Sequence, residues 1–251
     1  MPARVYAVAN QKGGVGKTTT AVNVGACLAE AGERVLLIDL DPQANATSGL
    51  GMRANGASTH DLLDGVPLSA LATPSGLPNL DVVMAKRDLA AAAVELSARD
   101  GGERYLAEAL AGGLEPYSFV FLDCPPSFGP LTVNALAAAT RALVPVQAEY
   151  YALEGLSQLL GTITLVKARL NPELAVAGIL LTMADGRTRL AAEVEAELRR
   201  HFSELVFTTT VPRSVRLAEA PSHGLPAIAY DRRSAGAQAY WKVAMELVER
   251  S

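Results

Sequence analysis

The 251-residue sequence predicts a single α/β domain, built on a mostly parallel, twisted sheet with helices on both faces. Short apolar runs recur along the chain, and a segment with helical periodicity follows each of them, as in parallel sheets covered by helices on both sides. Hydrophobic residues make up 50% of the chain, which is enough for a sizeable core. No linker, repeat or low-complexity tract interrupts this alternation, so we assign residues 1–251 to one domain.

The predicted elements begin with a strand at residues 4–9, an apolar run rich in β-forming residues. Residues 17–30 are Ala-rich with apolar residues on a helical period, and Gly32 is placed to end that helix. Residues 49–79, rich in Gly, Ser, Thr and Pro, are predicted to form a mobile excursion over the surface, and residues 236–251 a terminal helix packed on the domain. The remaining strands are predicted at residues 34–41, 80–85, 118–123, 141–147, 175–182 and 205–211.

A glycine-rich loop, NQKGGVGKTTT at residues 10–20, lies between the first strand and the first helix. Its end matches the phosphate-binding loop Gly-x-x-x-x-Gly-Lys-Ser/Thr, although Gln11 stands where that motif has its first glycine. A strand, a Gly-rich turn and a helix N-terminus together aim backbone N–H groups and the helix dipole at phosphates. The sequence therefore predicts a P-loop NTPase that binds nucleotide phosphates and Mg²⁺. The predicted nucleotide-binding residues of the loop are Lys12, Gly13, Gly14, Val15, Gly16, Lys17, Thr18 and Thr19.

The loop carries a lysine near each end. Lys17 can reach the β- and γ-phosphates within its own site, and Thr18 can offer its hydroxyl to Mg²⁺. Lys12 lies too far along the loop to duplicate the work of Lys17. Spacing alone assigns no role to this second cation.

Three aspartates are predicted at the carboxyl ends of strands, where ligands of such sheets bind. Asp123 follows an apolar run, as a Walker-B-type carboxylate does, and would hold Mg²⁺ directly or through water. Asp39 and Asp41 are two residues apart on an extended segment and so point to the same side. One of them can serve the metal region while the other orients the attacking water.

Composition argues against several other classes of protein. The net charge of −4 is incompatible with a uniformly basic coat for nucleic acid, although it permits a local basic patch. The three histidines have no zinc-ligand spacing, and the two cysteines, Cys27 and Cys124, fit small buried hydrophobic positions in a reduced compartment. No apolar run is long enough to span a membrane and no secretory signal precedes the first strand, so we expect a cytoplasmic protein.

These motifs, KGGVGKTTT, LLIDLDPQANAT and FLDCPPS, resemble those of the deviant-Walker-A ATPases, and within them the ParA/Soj chromosome-partitioning proteins. The resemblance runs nearly end to end, since VPVQAEYYALEGL, ILLTMADGRTRL and VPRSVRLAEAPSHG also fit that family. It implies slow, partner-stimulated ATP hydrolysis by an ATP-sandwich homodimer, in which Lys12 crosses to the phosphates of the partner subunit. It also implies that Lys17 binds phosphate, that Thr18 and Asp123 hold the metal, and that Asp41 orients the hydrolytic water. Of the two aspartates after the second strand, Asp39 is then the one left to serve the metal region.

The resemblance places adenine against Pro212 and its neighbours. This chain has Ser214 where the family usually has asparagine. A serine offers one hydroxyl instead of the paired donor and acceptor of an amide, so its contact with the base differs.

The family also implies ATP-dependent binding of non-specific double-stranded DNA by the nucleoid-associated dimer, release through a ParB/Spo0J-type centromere-binding protein, and a further role in replication initiation. The resemblance assigns DNA contacts to Arg187 and Arg216, and the arginine-rich stretch adds Arg189 and Arg213. From the residues alone the favoured interpretation is a solvated helical face, because glutamates intersperse the same stretch, and it is the resemblance that favours DNA contact. The first strand begins by residue 4, so we expect no N-terminal helix-turn-helix domain.

Two other functions on this scaffold are weighed against DNA partitioning. A membrane-recruited MinD-type positioning ATPase needs a basic amphipathic tail, whereas residues 236–251 carry balanced charges and fit a packed helix. An ATP-dependent metabolic enzyme is compatible with the loop alone, although the later motifs favour partitioning. An iron–sulfur reductase is excluded, because neither Cys27 nor Cys124 lies in an exposed loop suited to a cluster.

Overall fold

The computed structural model describes residues 2–149, 152–185 and 189–250. Their strands form one seven-stranded sheet in the order β3-β4-β2-β5-β1-β6-β7, and every pair of neighbours is parallel except β3 with β4. The strands are β1 (Arg4–Val8), β2 (Val35–Asp39), β3 (Thr73–Pro74), β4 (Leu80–Val83), β5 (Phe119–Asp123), β6 (Arg141–Gln147) and β7 (Ala175–Thr182). The predicted α/β domain with a mostly parallel sheet is thus confirmed.

Helices cover both faces of the sheet. They are α1 (Lys17–Glu30), α2 (Asn45–Gly49), α3 (Thr59–Leu63), α4 (Leu68–Leu71), α5 (Leu89–Ala98), α6 (Tyr105–Leu110), α7 (Pro130–Ala138), α8 (Ala152–Arg169), α9 (Arg189–His201), α10 (Val215–Glu219), α11 (Ala227–Tyr230) and α12 (Ala235–Glu249), with 3₁₀ turns at Gly102–Arg104 and Ala220–His223. The helices at α1 and α12 confirm the predicted first and last helices. Within the described residues no helix is both long and apolar enough to cross a membrane.

The core has two halves, one on each face of the sheet, because successive side chains of a strand point to opposite faces. In β1, Val5 and Ala7 pack into the half beneath α3 to α8, whereas Tyr6 and Val8 pack into the half beneath α1 and α12. Both faces of the central strands are buried, which explains why these strands are continuous apolar runs in the sequence.

Residues 49–79 differ from the predicted surface excursion. They contain α3, α4 and β3, and Leu62, Leu63, Leu68 and Leu71 are buried in the larger half of the core. The sequence pattern missed this packing because each element is too short to establish a period. The two-residue strand β3 ends in a proline, which suits the edge position it occupies.

The predicted strand at residues 205–211 is also absent. The segment does bond to β7, since Phe207 N donates to Ile179 O at 2.9 Å and Val211 N to Leu181 O at 2.8 Å. Between these contacts the N–H groups of Thr208 and Thr209 turn away and donate to the carboxylate of Glu246 in α12, at 2.7 and 3.0 Å. The Glu246 carboxylate therefore accepts hydrogen bonds from two N–H groups of this segment, and the pairing with β7 is interrupted there.

We expect Glu246→Gln to lower the free energy of unfolding near neutral pH by about 1–3 kcal/mol, because the carboxylate accepts charge-assisted bonds from two backbone donors. Burial opposes its charge, but bonds from Thr208, Thr209 and Arg250 outweigh burial and lower the pKa of Glu246. A carboxyl whose pKa is lowered on folding stabilises the protein above its unfolded pKa of about 4.3, and this contribution is lost as pH falls through the folded pKa. Urea unfolding of both proteins between neutral and acidic pH should show the difference shrinking.

The matched control is Glu249→Gln on the same helix, because the Glu249 side chain is exposed and has no hydrogen bond or ion pair with any described residue. The control should be as stable as the wild type at neutral pH. A Glu246→Gln protein with unchanged stability at pH 7 would contradict the role of the carboxylate.

Candidate functional site

The glycine-rich loop joins the carboxyl end of β1 to α1 and leaves the first turn of that helix open. Gly14 and Gly16 have φ angles of 76° and 88°, in the left-handed region that favours glycine. Gly16 is the N-cap of α1 and provides no side chain to cap the helix, so the N–H groups of the first turn face outward. The Thr182 hydroxyl donates to Val15 O at 2.8 Å and ties the loop to the end of β7.

Two adjoining cavities open against this loop. The first, of about 510 Å³, is lined by Gly13, Gly14, Lys17, Thr18 and Asp41, among others. The second cavity, of about 230 Å³, is mostly apolar, and Thr19, Pro212, Ser214 and Tyr240 belong to its wall. Gly16, Thr19 and Met183 line both cavities. The first, polar cavity lies at a helix N-terminus and suits a chain of phosphates, and the second, apolar cavity beside it suits the base of a nucleotide.

Met183 and Tyr240 are site residues that sequence reasoning missed. Met183 has a φ of 52°, a left-handed conformation that is uncommon for a residue with a side chain, and it stands where the two cavities meet. Tyr240 comes from α12, and its hydroxyl is 3.1 Å from that of Thr20 in α1. No local signal marks Tyr240 as a site residue, because the contact joins segments far apart in the sequence.

The Lys17 side chain folds back onto the glycine-rich loop. Its side chain is buried and its Nζ donates to Lys12 O at 3.0 Å. Burial lowers the pKa of Lys17, and the nearby Asp123, Cys124 and Asp41 oppose that shift. The ammonium is thus held at the polar cavity in a setting where an anionic ligand would stabilise its charge.

Asp123 ends β5 and is fully buried, yet among the described residues neither of its carboxylate oxygens has a hydrogen-bond partner of normal geometry, although the Thr18 hydroxyl lies close enough to oppose part of the rise in its pKa. Burial, followed by the charge of Asp39, raises the pKa of Asp123 well above its ordinary value. Buried charged groups are normally paired or bound to metal, so an orphaned carboxylate beside the Thr18 hydroxyl fits Mg²⁺, which prefers oxygen ligands.

The structure separates the two aspartates after β2. The Asp39 carboxylate accepts bonds from Thr47 N at 2.9 Å, Thr47 Oγ1 at 2.7 Å and Asp41 N at 3.1 Å. Burial raises the pKa of Asp39 to about 6. One oxygen thus holds α2 through Thr47 and the other holds the backbone of Asp41, and Asp39 is not among the described residues lining either cavity. Asp41 does line the polar cavity, with one oxygen accepting from Gln43 N at 2.9 Å.

Lys12 points away from its own polar cavity. Its Nζ forms an ion pair with Glu149, just after β6, and the two side chains are 50% and 45% exposed. Its backbone N–H donates to Asn10 Oδ1 at 3.0 Å, so the main chain is fixed while the side chain is held only at its tip. Glu149 is a further residue that sequence reasoning missed, although it follows a strand end on the ligand side of the sheet.

Of the four arginines predicted to contact DNA, two are in ion pairs with carboxylates of this chain. Arg189 pairs with Glu193 at 2.8 Å, and Arg216 pairs with Glu219 at 2.8 Å and Asp231 at 3.4 Å. Arg213 is exposed and has no ion pair with any described residue, and it lines the apolar cavity. Arg187 lies outside the described residues.

Comparison with known proteins gives consistent matches. A family model described as an AAA domain matches residues 3–176. The chain is 56% identical to a chromosome-partitioning ATPase, Soj, of Thermus thermophilus over 98% of this chain and 96% of that protein. It is 49% identical to the sporulation initiation inhibitor protein Soj of Bacillus subtilis, over 97% of this chain and 98% of that one. A solved structure of a Mycobacterium smegmatis cobyrinic acid a,c-diamide synthase with bound ADP and magnesium superposes with a TM-score of 0.85 at 39% identity, covering 98% of this chain and 94% of that chain.

Proposed function

Because the chain belongs to the ParA/Soj family of chromosome-partitioning ATPases, we propose that it works as a nucleotide-gated switch on DNA. The protein is an ATPase, and ATP and Mg²⁺ are its cofactors. ATP joins two copies into a sandwich dimer, and the dimer holds double-stranded DNA without sequence preference on the nucleoid. Hydrolysis, accelerated by a ParB-type partner, then releases the DNA. A further role in replication initiation belongs to the same proposal.

The observation that carries the proposal is the pair of adjoining cavities at the N-terminus of α1. The loop N–H groups and Lys17 bind the phosphates, and Thr18 and Asp123 hold the metal. Mg²⁺ supplies positive charge that neutralises the phosphate oxygens. Asp41 orients the attacking water with its free carboxylate oxygen, and Asp39 acts through the backbone by holding α2 and Asp41 in place.

Lys12 supplies the link between nucleotide and dimer. Its ammonium faces outward, and its only ion pair among the described residues is an exposed one that contributes at most about 1 kcal/mol. Release from Glu149 therefore costs little. In the dimer Lys12 crosses to the phosphates bound by the second copy, where a cation stabilises the charge that develops during hydrolysis.

Two alternatives have weaker support. A membrane-recruited positioning ATPase needs a free amphipathic helix, but Tyr240, Val243 and Leu247 of α12 are buried in the core beside α1. The solved synthase gives some weight to an ATP-dependent metabolic enzyme, although the partitioning proteins match at higher identity over similar coverage. ATP hydrolysis that requires no second small substrate would count against that alternative.

We expect the wild-type protein to be retained on non-specific duplex DNA with Mg²⁺-ATP and not with Mg²⁺-ADP. Retention should weaken by about 10³-fold or more as salt rises from about 50 to 200 mM if six or more phosphates are contacted, because each contact releases a counterion. Retention on immobilised duplexes of two unrelated sequences measures both effects. Equal retention with ADP and ATP would contradict the proposal that the nucleotide controls DNA binding. No retention with either nucleotide would favour the metabolic or membrane alternative.

A further inference from the structure

His60 lies on the short helix α3, and its two ring nitrogens face different carboxylates. Its Nδ1 is 3.9 Å from Oδ2 of Asp88, the residue before α5. Its Nε2 faces Asp64, whose Oδ2 is 3.6 Å away and thus too far for a hydrogen bond. This Nε2 is shielded from solvent and has no hydrogen-bond partner among the described residues. Buried polar atoms are normally satisfied, so this nitrogen is available to a ligand.

Two carboxylates converge with the His60 ring. Asp64 follows His60 by four residues, and residues at that spacing are neighbours on one face of a helix. Glu95 comes from α5, and one ligand atom of each of the three side chains lies within 4.8 Å of the others. In a tetrahedral Zn²⁺ site with bonds of about 2.0–2.1 Å the ligand atoms are about 3.4 Å apart, so small rotations of exposed side chains suffice to close the set. One imidazole and two carboxylates suit a divalent transition-metal ion with water as its fourth ligand.

Asp88 gives the His60 ring the second partner that a metal-bound histidine normally has. Such a histidine directs its other ring N–H at a carboxylate, which fixes the tautomer and the orientation of the ring. The Asp88 carboxylate faces Nδ1 and is itself held by Lys86 Nζ at 3.0 Å. A proton on Nδ1 leaves the lone pair of Nε2 on the side of Asp64. The ring is therefore oriented for binding a metal ion through Nε2.

Arg99 is the cation that would compete with a metal ion for the two carboxylates. Its Nη1 is 3.5 Å from Asp64 Oδ1, and its Nη2 is 3.2 Å from Glu95 Oε2. The side chains of Arg99, Asp64 and Glu95 are 39%, 48% and 45% exposed. Ion pairs exposed to this extent contribute at most about 1 kcal/mol each, so a metal ion can displace the guanidinium at little cost.

The residue before His60 connects α3 to the end of β2. Thr59 Oγ1 donates to Asp39 O at 2.7 Å, and Thr59 N donates to Met84 O at 2.8 Å. An ion that joins α3 to α5 would therefore also hold the backbone behind Asp39 in place. The sequence pattern could not reveal this arrangement, because no two histidines have zinc-ligand spacing and Glu95 is more than thirty residues after His60.

We propose that His60, Asp64 and Glu95 bind one divalent transition-metal ion, with Zn²⁺ as its representative. Asp88 orients the ring, and the bound ion ties α3 to α5. The site differs in chemistry from the Mg²⁺ position at Asp123, because Mg²⁺ prefers oxygen ligands whereas imidazole suits transition metals. The proposal is independent of the proposed function.

The test is calorimetric titration of the untagged, nucleotide-free chain with Zn²⁺ in excess Mg²⁺. We expect the wild type to bind one Zn²⁺ at this site, His60→Gln to lose that binding, and Asp88→Asn to weaken it by about 10-fold or more. The matched control is His201→Gln. His201 Nε2 is 3.3 Å from Glu197 at the same helical spacing, but no third metal-ligating side chain joins this pair within the described part of the chain. His201→Gln should bind Zn²⁺ as the wild type does.

Arg99→Gln supplies a gain that a damaged fold cannot imitate. It should tighten Zn²⁺ binding by up to about fivefold for each ion pair that the metal no longer has to break. At a free Zn²⁺ concentration of about 100 times Kd, the thermal midpoint of the wild type should rise by about 5 °C or more, because the ion binds only the folded state. His60→Gln should show no such rise.

Three results would overturn the proposal. One is a wild-type protein that binds no Zn²⁺, and another is a His60→Gln protein that binds Zn²⁺ as tightly as His201→Gln does. The third is weaker Zn²⁺ binding by Arg99→Gln, which would place the ion away from the carboxylates that Arg99 contacts. None of these results bears on ATP hydrolysis or DNA retention, so the proposed function is tested separately.

Discussion

Asp41→Asn is expected to lower the rate of ATP hydrolysis by about 10²-fold or more while leaving Mg²⁺-ATP binding nearly unchanged. Asp41 lines the polar cavity, and one of its oxygens is used by the backbone of Gln43, which leaves the other for the attacking water. An amide of the same shape cannot accept the proton of that water. The trapped dimer should therefore remain on DNA with ATP. Phosphate release and nucleotide binding, measured on the same preparation, check the two halves of this expectation.

Asp39→Asn is the matched control for Asp41→Asn, two residues away on the same segment. The Asp39 carboxylate accepts from Thr47 N, Thr47 Oγ1 and Asp41 N, so an amide would set a donor against a donor in the buried interior. We expect it to lower the free energy of unfolding by about 1–3 kcal/mol. If the Asp39→Asn protein were stable but did not hydrolyse ATP, and the Asp41→Asn protein stayed active, then Asp39 would be the residue that orients the water and Asp41 would not.

Local patterns in the sequence predicted the frame of the site well. The helix predicted at residues 17–30 has those bounds in the structure, because the loop glycines and Gly32 are local signals for its two ends. Asp39 and Asp123 end neighbouring parallel strands and lie opposite each other in the register. The rule that ligands bind at the carboxyl ends of parallel strands therefore predicted correctly that both lie at the same edge of the sheet. Chain order and strand direction were sufficient for these predictions.

Contacts between distant segments were not accessible from the sequence. The commitment of Asp39 to α2 depends on how that short helix docks, and the interruption of the 205–211 ladder depends on Glu246, more than thirty residues later. Clustering of arginines in the sequence likewise says nothing about pairing. Arg232 and Arg233 are adjacent, yet only Arg232 pairs with a carboxylate among the described residues.

Lys12→Ala is expected to weaken ATP-dependent dimerisation by about 30-fold or more, equivalent to about 2 kcal/mol, while ATP binding by the monomer persists. Lys17, not Lys12, lines the polar cavity, so loss of Lys12 removes no phosphate contact within its own copy. The Asp41→Asn background prevents hydrolysis during the measurement. Light scattering after gel filtration with Mg²⁺-ATP then compares the dimer fraction of the single and double variants across protein concentrations.

Glu149→Gln separates the trans role of Lys12 from its ion pair within one copy. Lys12 and Glu149 are each about half exposed, so their ion pair contributes at most about 1 kcal/mol and its loss should shift dimerisation by less than about fivefold. A large loss of dimer in Lys12→Ala with little change in Glu149→Gln therefore supports contact between Lys12 and the second copy. If Lys12→Ala dimerised as readily as its parent, the lysine would act only within its own subunit, and ATP would have to join the two copies through other groups.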